Sequence, residues 1–189
     1  MKVKTTRFGE LEVSPADLVT FAEGLFGFEN LKKFFVVDPG DSTLILWLQS
    51  TEDDKVAFPI IEPKIFKPDY IAKLLPADLN GLDLDSLQTA KLYSILTIPA
   101  TVTEMSANLK APIVINSSKK IGKQIVLQDS KLEVRSKMYM DLKKYIVNYI
   151  SDDSKRTTVT LANKEQGPTV VHANPGQAAN TNKNSPEAN

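Results

Sequence analysis

The 189-residue chain carries almost none of the side chains that support covalent or acid–base catalysis. It has no cysteine and one histidine, His172. That removes thiolate nucleophiles, cysteine metal sites and disulfides together. His172 lies in a polar C-terminal stretch, a poor place for a general base. What remains is carboxylates, amides and lysines. Glu52-Asp53-Asp54 form a run, with Asp78 and Asp83 further on. Two acids brought to one site can hydrolyse a glycosidic bond, and several can hold a cation. Consecutive acids in a turn are ordinarily solvated, however, and no histidine or second acidic cluster at ligand spacing accompanies these. Their other use is as a face complementary to a basic partner. The second group is Asn108, Lys110, Asn116 and Gln124, with Asn108 and Lys110 the first candidates for partner contact. The competing reading of Asn108 is an amide that bonds nearby backbone in a turn. Gly122-Lys123 lacks the upstream glycine of a phosphate loop. Gly24 and Gly27 stand among Phe21, Phe26 and Phe28 without the spacing of a nucleotide-binding turn. The expectation is no catalytic residue, no metal and no cofactor.

These residues must be positioned by short strands. From Ser106 to Leu127 two β-branched runs, Ile113-Val114-Ile115 and Ile121 with Ile125-Val126-Leu127, flank the polar connector Asn116–Lys120. That pattern predicts a β-hairpin. Pro112 suits the first residue of a strand, and Gly122 marks a bulge or a close backbone approach. Upstream, alternation predicts a hairpin about Gly9, and Ser14-Pro15 caps one helical turn. Further strands are expected at Leu18–Phe21, Phe34–Val37, Thr43–Gln49, Val56–Ile61 and Lys91–Ile98, with Thr101–Thr103 extending the pairing and a last strand at Lys131–Ser136. Pro59 demotes its strand to an edge or a bulge. One helical turn is expected at Glu29–Lys33, and a short helix near residues 76–81. Phe21, Phe26 and Phe28 are expected to pack inward, and Phe28 and Phe58 belong to the core. Met138, Leu142, Tyr145, Ile146, Tyr149 and Ile150 recur at helical spacing, predicting an amphipathic helix over Met138–Ile150.

Lys+Arg and Asp+Glu balance at 23 each, so the chain lacks the global basic field of a protein built to grip phosphate backbones. No apolar run approaches the roughly 20 residues of a membrane span, and the N-terminus has no apolar core of a secretory signal. A cytoplasmic location follows as the expectation. From Ser154 to Asn189 the chain is polar and without aromatic residues, which predicts disorder.

Several blocks in register resemble the flagellar assembly factor FliW family. They are Phe21-x-x-Gly24-x-x-Gly27-Phe28, then Leu48-Gln49-Ser50, Ala57-Phe58 and Pro63, and Leu96-Thr97-Ile98. The segment Ser106–Asn116 with Gly122–Leu127 looks like that family's signature. The resemblance covers roughly residues 3–136. It implies a mainly β fold, a compact barrel or roll of antiparallel strands with short helices, followed by the helix at 137–153 and the tail at 154–189. It implies no enzyme but a binding protein with two partners, cytoplasmic flagellin and the translational repressor CsrA. Family members bind CsrA away from its RNA-contacting surface and lower its affinity for RNA. Glu52, Asp53, Asp54, Asp78 and Asp83 are then the candidate complements to that basic partner, beside Asn108, Lys110, Asn116 and Gln124. No direct nucleic-acid contact and no membrane are expected. The alternative is a nucleic-acid-binding or other β-barrel interaction module; a hydrolase with paired acids ranks last.

Overall fold

The computed structural model describes residues 1–40, 44–84, 89–153 and 171–172. The expected hairpin about Gly9 forms from β1 (Lys2–Thr5) and β2 (Gly9–Glu12), with Val3 opposite Leu11. Gly9 has φ +71°, the left-handed turn conformation that glycine adopts without a Cβ clash. Ser14 then caps one 3-10 turn, Pro15–Asp17, its Oγ accepting from the Ala16 N–H at 3.3 Å.

Seven strands close into a barrel: β3 (Val19–Thr20), β4 (Lys33–Asp38), β5 (Leu46–Ser50), β6 (Ala57–Ile61), β7 (Ala90–Thr97), β9 (Ile113–Asn116) and β10 (Ile121–Gln124). Neighbours are antiparallel except β10 and β3, which run parallel at Ile121 and Thr20. Closure matters because an open sheet would leave a row of unpaired backbone groups. Beside β7, β8 (Ser106–Ala107) and β11 (Ser136–Lys137) prolong the sheet. The short β12 (Val171–His172) pairs in parallel with β4.

The period of two along β4 explains where the core sits. Phe34 and Val36 point into the barrel, packing with Phe21, Leu48, Ile60, Ile113 and Ile115. Phe35 and Val37 point outward, yet are fully buried, because the β1–β2 hairpin covers them with Val3, Leu11 and Val13. Both faces of β4 are therefore dry, which is why its apolar run is continuous. A third cluster lies outside β7 and β9. There Phe66, Tyr70, Leu82, Leu109 and Leu127 meet Met138, just before α1 (Tyr139–Asp153), and Leu142 from its first turn. Helix α1 starts one residue later than its periodicity predicts and runs three residues further. Its Met138/Leu142 stripe is the face that packs, while Met140 and Val147 are exposed. Phe28 and Phe58, both half-buried, stack edge-on at 5.0 Å against the inner core.

Several expectations are corrected. Pro59 lies on neither an edge strand nor a bulge: it faces Trp47 of β5, and the ladder with β7 covers Ile60 and Ile61 only, so no acceptor waits for its missing N–H. Thr101–Thr103 does not extend a strand, since Val102–Glu104 forms a 3-10 turn. The segment Lys131–Ser136 is not a strand along its length. Pairing is confined to Ser136 and Lys137, and Val134 is exposed. Glu29–Lys33 makes a turn closed by the Leu31 N–H to Phe28 C=O bond rather than a helical turn. β5 begins at Leu46, after Leu44 takes φ +64°. The expected disorder of the tail falls outside the described residues, apart from the two of β12.

Candidate functional site

The signature amides are spent inside the fold. Asn116 ends β9 and is 1% exposed. Its Nδ2 donates to the Leu82 and Asp83 carbonyls, both at 2.8 Å. Its Oδ1 accepts from the Ser118 N–H at 3.1 Å, the Ser118 hydroxyl at 2.8 Å and the Lys119 N–H at 3.1 Å. One side chain thus shapes the β9–β10 turn and ties it to the 79–84 loop. Gln124, at the end of β10, accepts from the Phe26 N–H at 3.0 Å and donates to the Ala111 carbonyl at 3.2 Å. Asn108 takes the turn role: its Oδ1 accepts from the Ala111 N–H at 2.8 Å, and its own N–H donates to the Ile95 carbonyl. Lys110 donates from Nζ to the Asp129 carbonyl at 2.7 Å, pinning the segment that leaves the hairpin. A buried polar atom left unpaired is costly, and these four bonding patterns meet that requirement.

The acids divide differently. The β5–β6 turn is built by Ser50, whose Oγ accepts from the Glu52 and Asp53 amides, and by Gln49, whose Nε2 donates to the Val56 carbonyl. Glu52 is exposed, and its Oε2 accepts from the Lys32 and Lys33 amides, which hold its carboxyl below the usual range. Asp53 Oδ1 accepts from the Lys55 N–H, and Asp78 Oδ2 from the Leu75 N–H. Asp54 and Asp83 are exposed. Each contributes its backbone carbonyl to the fold, Asp54 to the Thr6 N–H and Asp83 to Asn116. Their side chains face solvent.

A lateral row of bonds across β10, β3, β4 and β5 links the two turns, which lie at opposite strand ends. Glu52 reaches Lys32 and Lys33; the Phe21 N–H bonds the Lys32 carbonyl; the Thr20 N–H bonds the Lys120 carbonyl; and Asn116 carries the contact to Asp83. Asn108 and Lys110 take no part in this row and are bonded to Ile95, Asp129 and Glu133.

One residue of the β3–β4 connection is placed contrary to expectation. Phe26 does not pack inward; it is 55% exposed. Gly24 and Gly27 have φ +75° and +80°, and a Cβ at Gly24 would stand 2.7 Å from the Glu29 Cα. The loop between them therefore turns sharply and carries the Phe26 ring outward, while the Gln124 side chain holds the Phe26 backbone. Beside it lies a depression of about 190 Å³, lined by Glu23, Phe26, Glu29, Asn80, Gly122 and Lys123. Lys123 spans it, 3.6 Å from Glu23 and donating to the Asn80 carbonyl. The sequence signal was present, since an aromatic residue between two turn glycines has no strand or helix to turn it inward. A larger depression of about 400 Å³ lies on the other face of β7 and β9, lined by Glu62, Tyr70, Ile71, Leu74, Lys91 and Val114. Burial pushes the Tyr70 hydroxyl up to about 12, and it donates to the Leu109 carbonyl at 2.9 Å.

Comparison with known proteins assigns this architecture. The family model described as FliW protein matches residues 2–138. A flagellar assembly factor FliW from Bdellovibrio bacteriovorus is 39% identical over 166 residues, covering 87% of this chain and 95% of that protein. One from Caldicellulosiruptor bescii is 43% identical over 140 residues, covering 74% and 91%. A crystal structure of the flagellar assembly factor FliW superposes with a TM-score of 0.69 at 32% identity, covering 72% of this chain and 96% of that one.

Proposed function

Because this chain belongs to the FliW family of flagellar assembly factors, we propose that it acts in the cytoplasm by binding the repressor CsrA and, in competition, flagellin, so that flagellin translation follows flagellum assembly. The observation that carries the reading is the match to the Bdellovibrio relative across nearly all of that protein's length, on the same fold as the FliW crystal structure. The role is one of binding, not catalysis. Physically it is linkage: a protein that prefers the RNA-free form of a repressor lowers the repressor's RNA affinity by the same factor.

The bonding pattern refines the contact candidates. Asn108, Lys110, Asn116 and Gln124 serve binding by holding the surface in shape. Among the acids, Asp54 and Asp83 offer solvated carboxylates to a basic partner, with Glu52, Asp53 and Asp78 already bonded to local amides. Charge of this kind acts mainly on the rate of association.

The deciding experiment is a competition. CsrA is loaded on flagellin leader RNA, this protein is added, and flagellin follows. Release of RNA and its restoration by flagellin are expected; no effect from either addition overturns the reading. With CsrA, the double variant Asp54→Asn/Asp83→Asn should associate several-fold more slowly at low salt and match the parent at high salt. An unchanged rate at both salts removes these acids from the interface.

A further inference from the structure

The barrel wall has a gap that the chain's own C-terminal segment fills. Strand β3 spans two residues, pairing Val19 with Phe34 and Thr20 with Lys33. The Pro15–Asp17 turn carries the preceding chain off the sheet, so β3 does not reach Val36–Asp38 of β4. On its other side β4 is paired with β5 as far as Val37, opposite Trp47. The Thr51 N–H donates to the Lys33 carbonyl, which fixes the alternation. Lys33, Phe35 and Val37 bond toward β5, whereas Phe34, Val36 and Asp38 direct their backbone groups toward β3 and the gap. Phe34 is met by Val19; Val36 and Asp38 are left facing a notch one strand wide. In that notch lies β12, with Val171 opposite Val37 and His172 opposite Asp38, parallel to β4.

We propose that this notch is a strand-acceptor site, and that Val171–His172 occupies it in cis as a displaceable ligand. Three features fit an acceptor. The backbone groups that face β12 belong to a strand buried on both faces, hence rigid. The pairing is parallel, the weaker kind of ladder, and covers two residues among those described, so the occupant is replaceable. The occupant that faces Val37 is Val171, a β-branched residue of the kind such a site selects. The competing ligand is an extended protein segment of the same character, with an amide N–H where Val171 supplies one. Any such partner first has to displace the segment, so its apparent affinity falls by the fraction of notches that stand open.

The test uses the full chain and a Val171→Pro variant, which removes the amide facing β4 without touching the barrel. Amide hydrogen exchange is followed at Asp38 and Phe34, with thermal unfolding as the control. A labelled peptide of residues 166–176 is titrated into both proteins. The expected result is about tenfold faster exchange at Asp38 alone, with Phe34 unchanged. The peptide should bind the variant about tenfold more tightly than the parent, and a peptide carrying the same proline should bind neither. Equal Asp38 exchange in the two proteins overturns cis occupancy. Faster exchange without peptide binding to the variant overturns the acceptor site.

Discussion

The two polar turns, β5–β6 and β9–β10, lie at opposite strand ends and use their side chains in opposite ways. In the β9–β10 turn, Asn116 is buried and every polar end of its amide is bonded to the fold. In the β5–β6 turn, the buried scaffold is Gln49 and Ser50, and the acids that follow remain at the surface. The difference teaches that a polar signature is no guide to a binding face. An amide can be buried whole if four directions are satisfied, whereas an ionised carboxylate keeps water unless a cation or several donors replace it. The side chains that the fold leaves in solvent are accordingly Asp54, Asp83 and the ring of Phe26.

That contrast can be broken by substitution, and the largest effect belongs to the amide. Asn116→Ala strands the Leu82 carbonyl and the Ser118 and Lys119 amides, at a cost of about 2–4 kcal/mol in denaturant unfolding. If it costs less than the surface acids do, Asn116 is no keystone. Next is Gly122 on the same hairpin. A Cβ there would stand 2.4 Å from the Phe21 ring, itself fully buried and edge-on to Phe34 at 5.4 Å. Gly122→Ala should cost about 1–3 kcal/mol, and a thermal midpoint equal to that of the parent would show that the ring has room to shift. The smallest effect belongs to the β5–β6 turn. The amides of Lys32 and Lys33 hold the Glu52 carboxyl below its ordinary value of 4.5. Its contribution is thus present above that value and lost as pH falls through the depressed one. Glu52→Gln should cost less than about 1 kcal/mol at neutral pH, since the group is exposed and screened. It should also flatten the acid limb of stability below pH 4.5. An acid limb as steep as the parent's would assign that limb to another carboxylate.

Most of the barrel was legible in the chain. The hairpin about Gly9, the Ser14 cap, the β9–β10 hairpin and the helix after Met138 all follow from alternation, turn chemistry or helical period. The mistakes cluster where a local rule meets a tertiary fact. Pro59 reads as an edge signal, but its missing N–H falls just beyond the end of a ladder, which only the register of β7 reveals. Leu132 and Val134 alternate like a strand, yet the Glu133 carbonyl between them takes the Leu109 and Lys110 amides of a turn, and a ladder forms only at Ser136 and Lys137 of that segment. Phe26 reads as core by type, and the glycines on either side turn it to solvent.

The sequence by itself determined the absence of thiol chemistry, the β character, the signature hairpin and the resemblance to the FliW family. These depend on composition and on contacts a few residues apart. Tertiary structure alone decided that the sheet closes, that Asn116 reaches the 79–84 loop, that Gln124 holds the Phe26 turn, and that β4 keeps a notch for Val171. Each of these joins residues distant in the chain, and their geometry depends on the stagger of seven strands around the barrel, which no local pattern encodes.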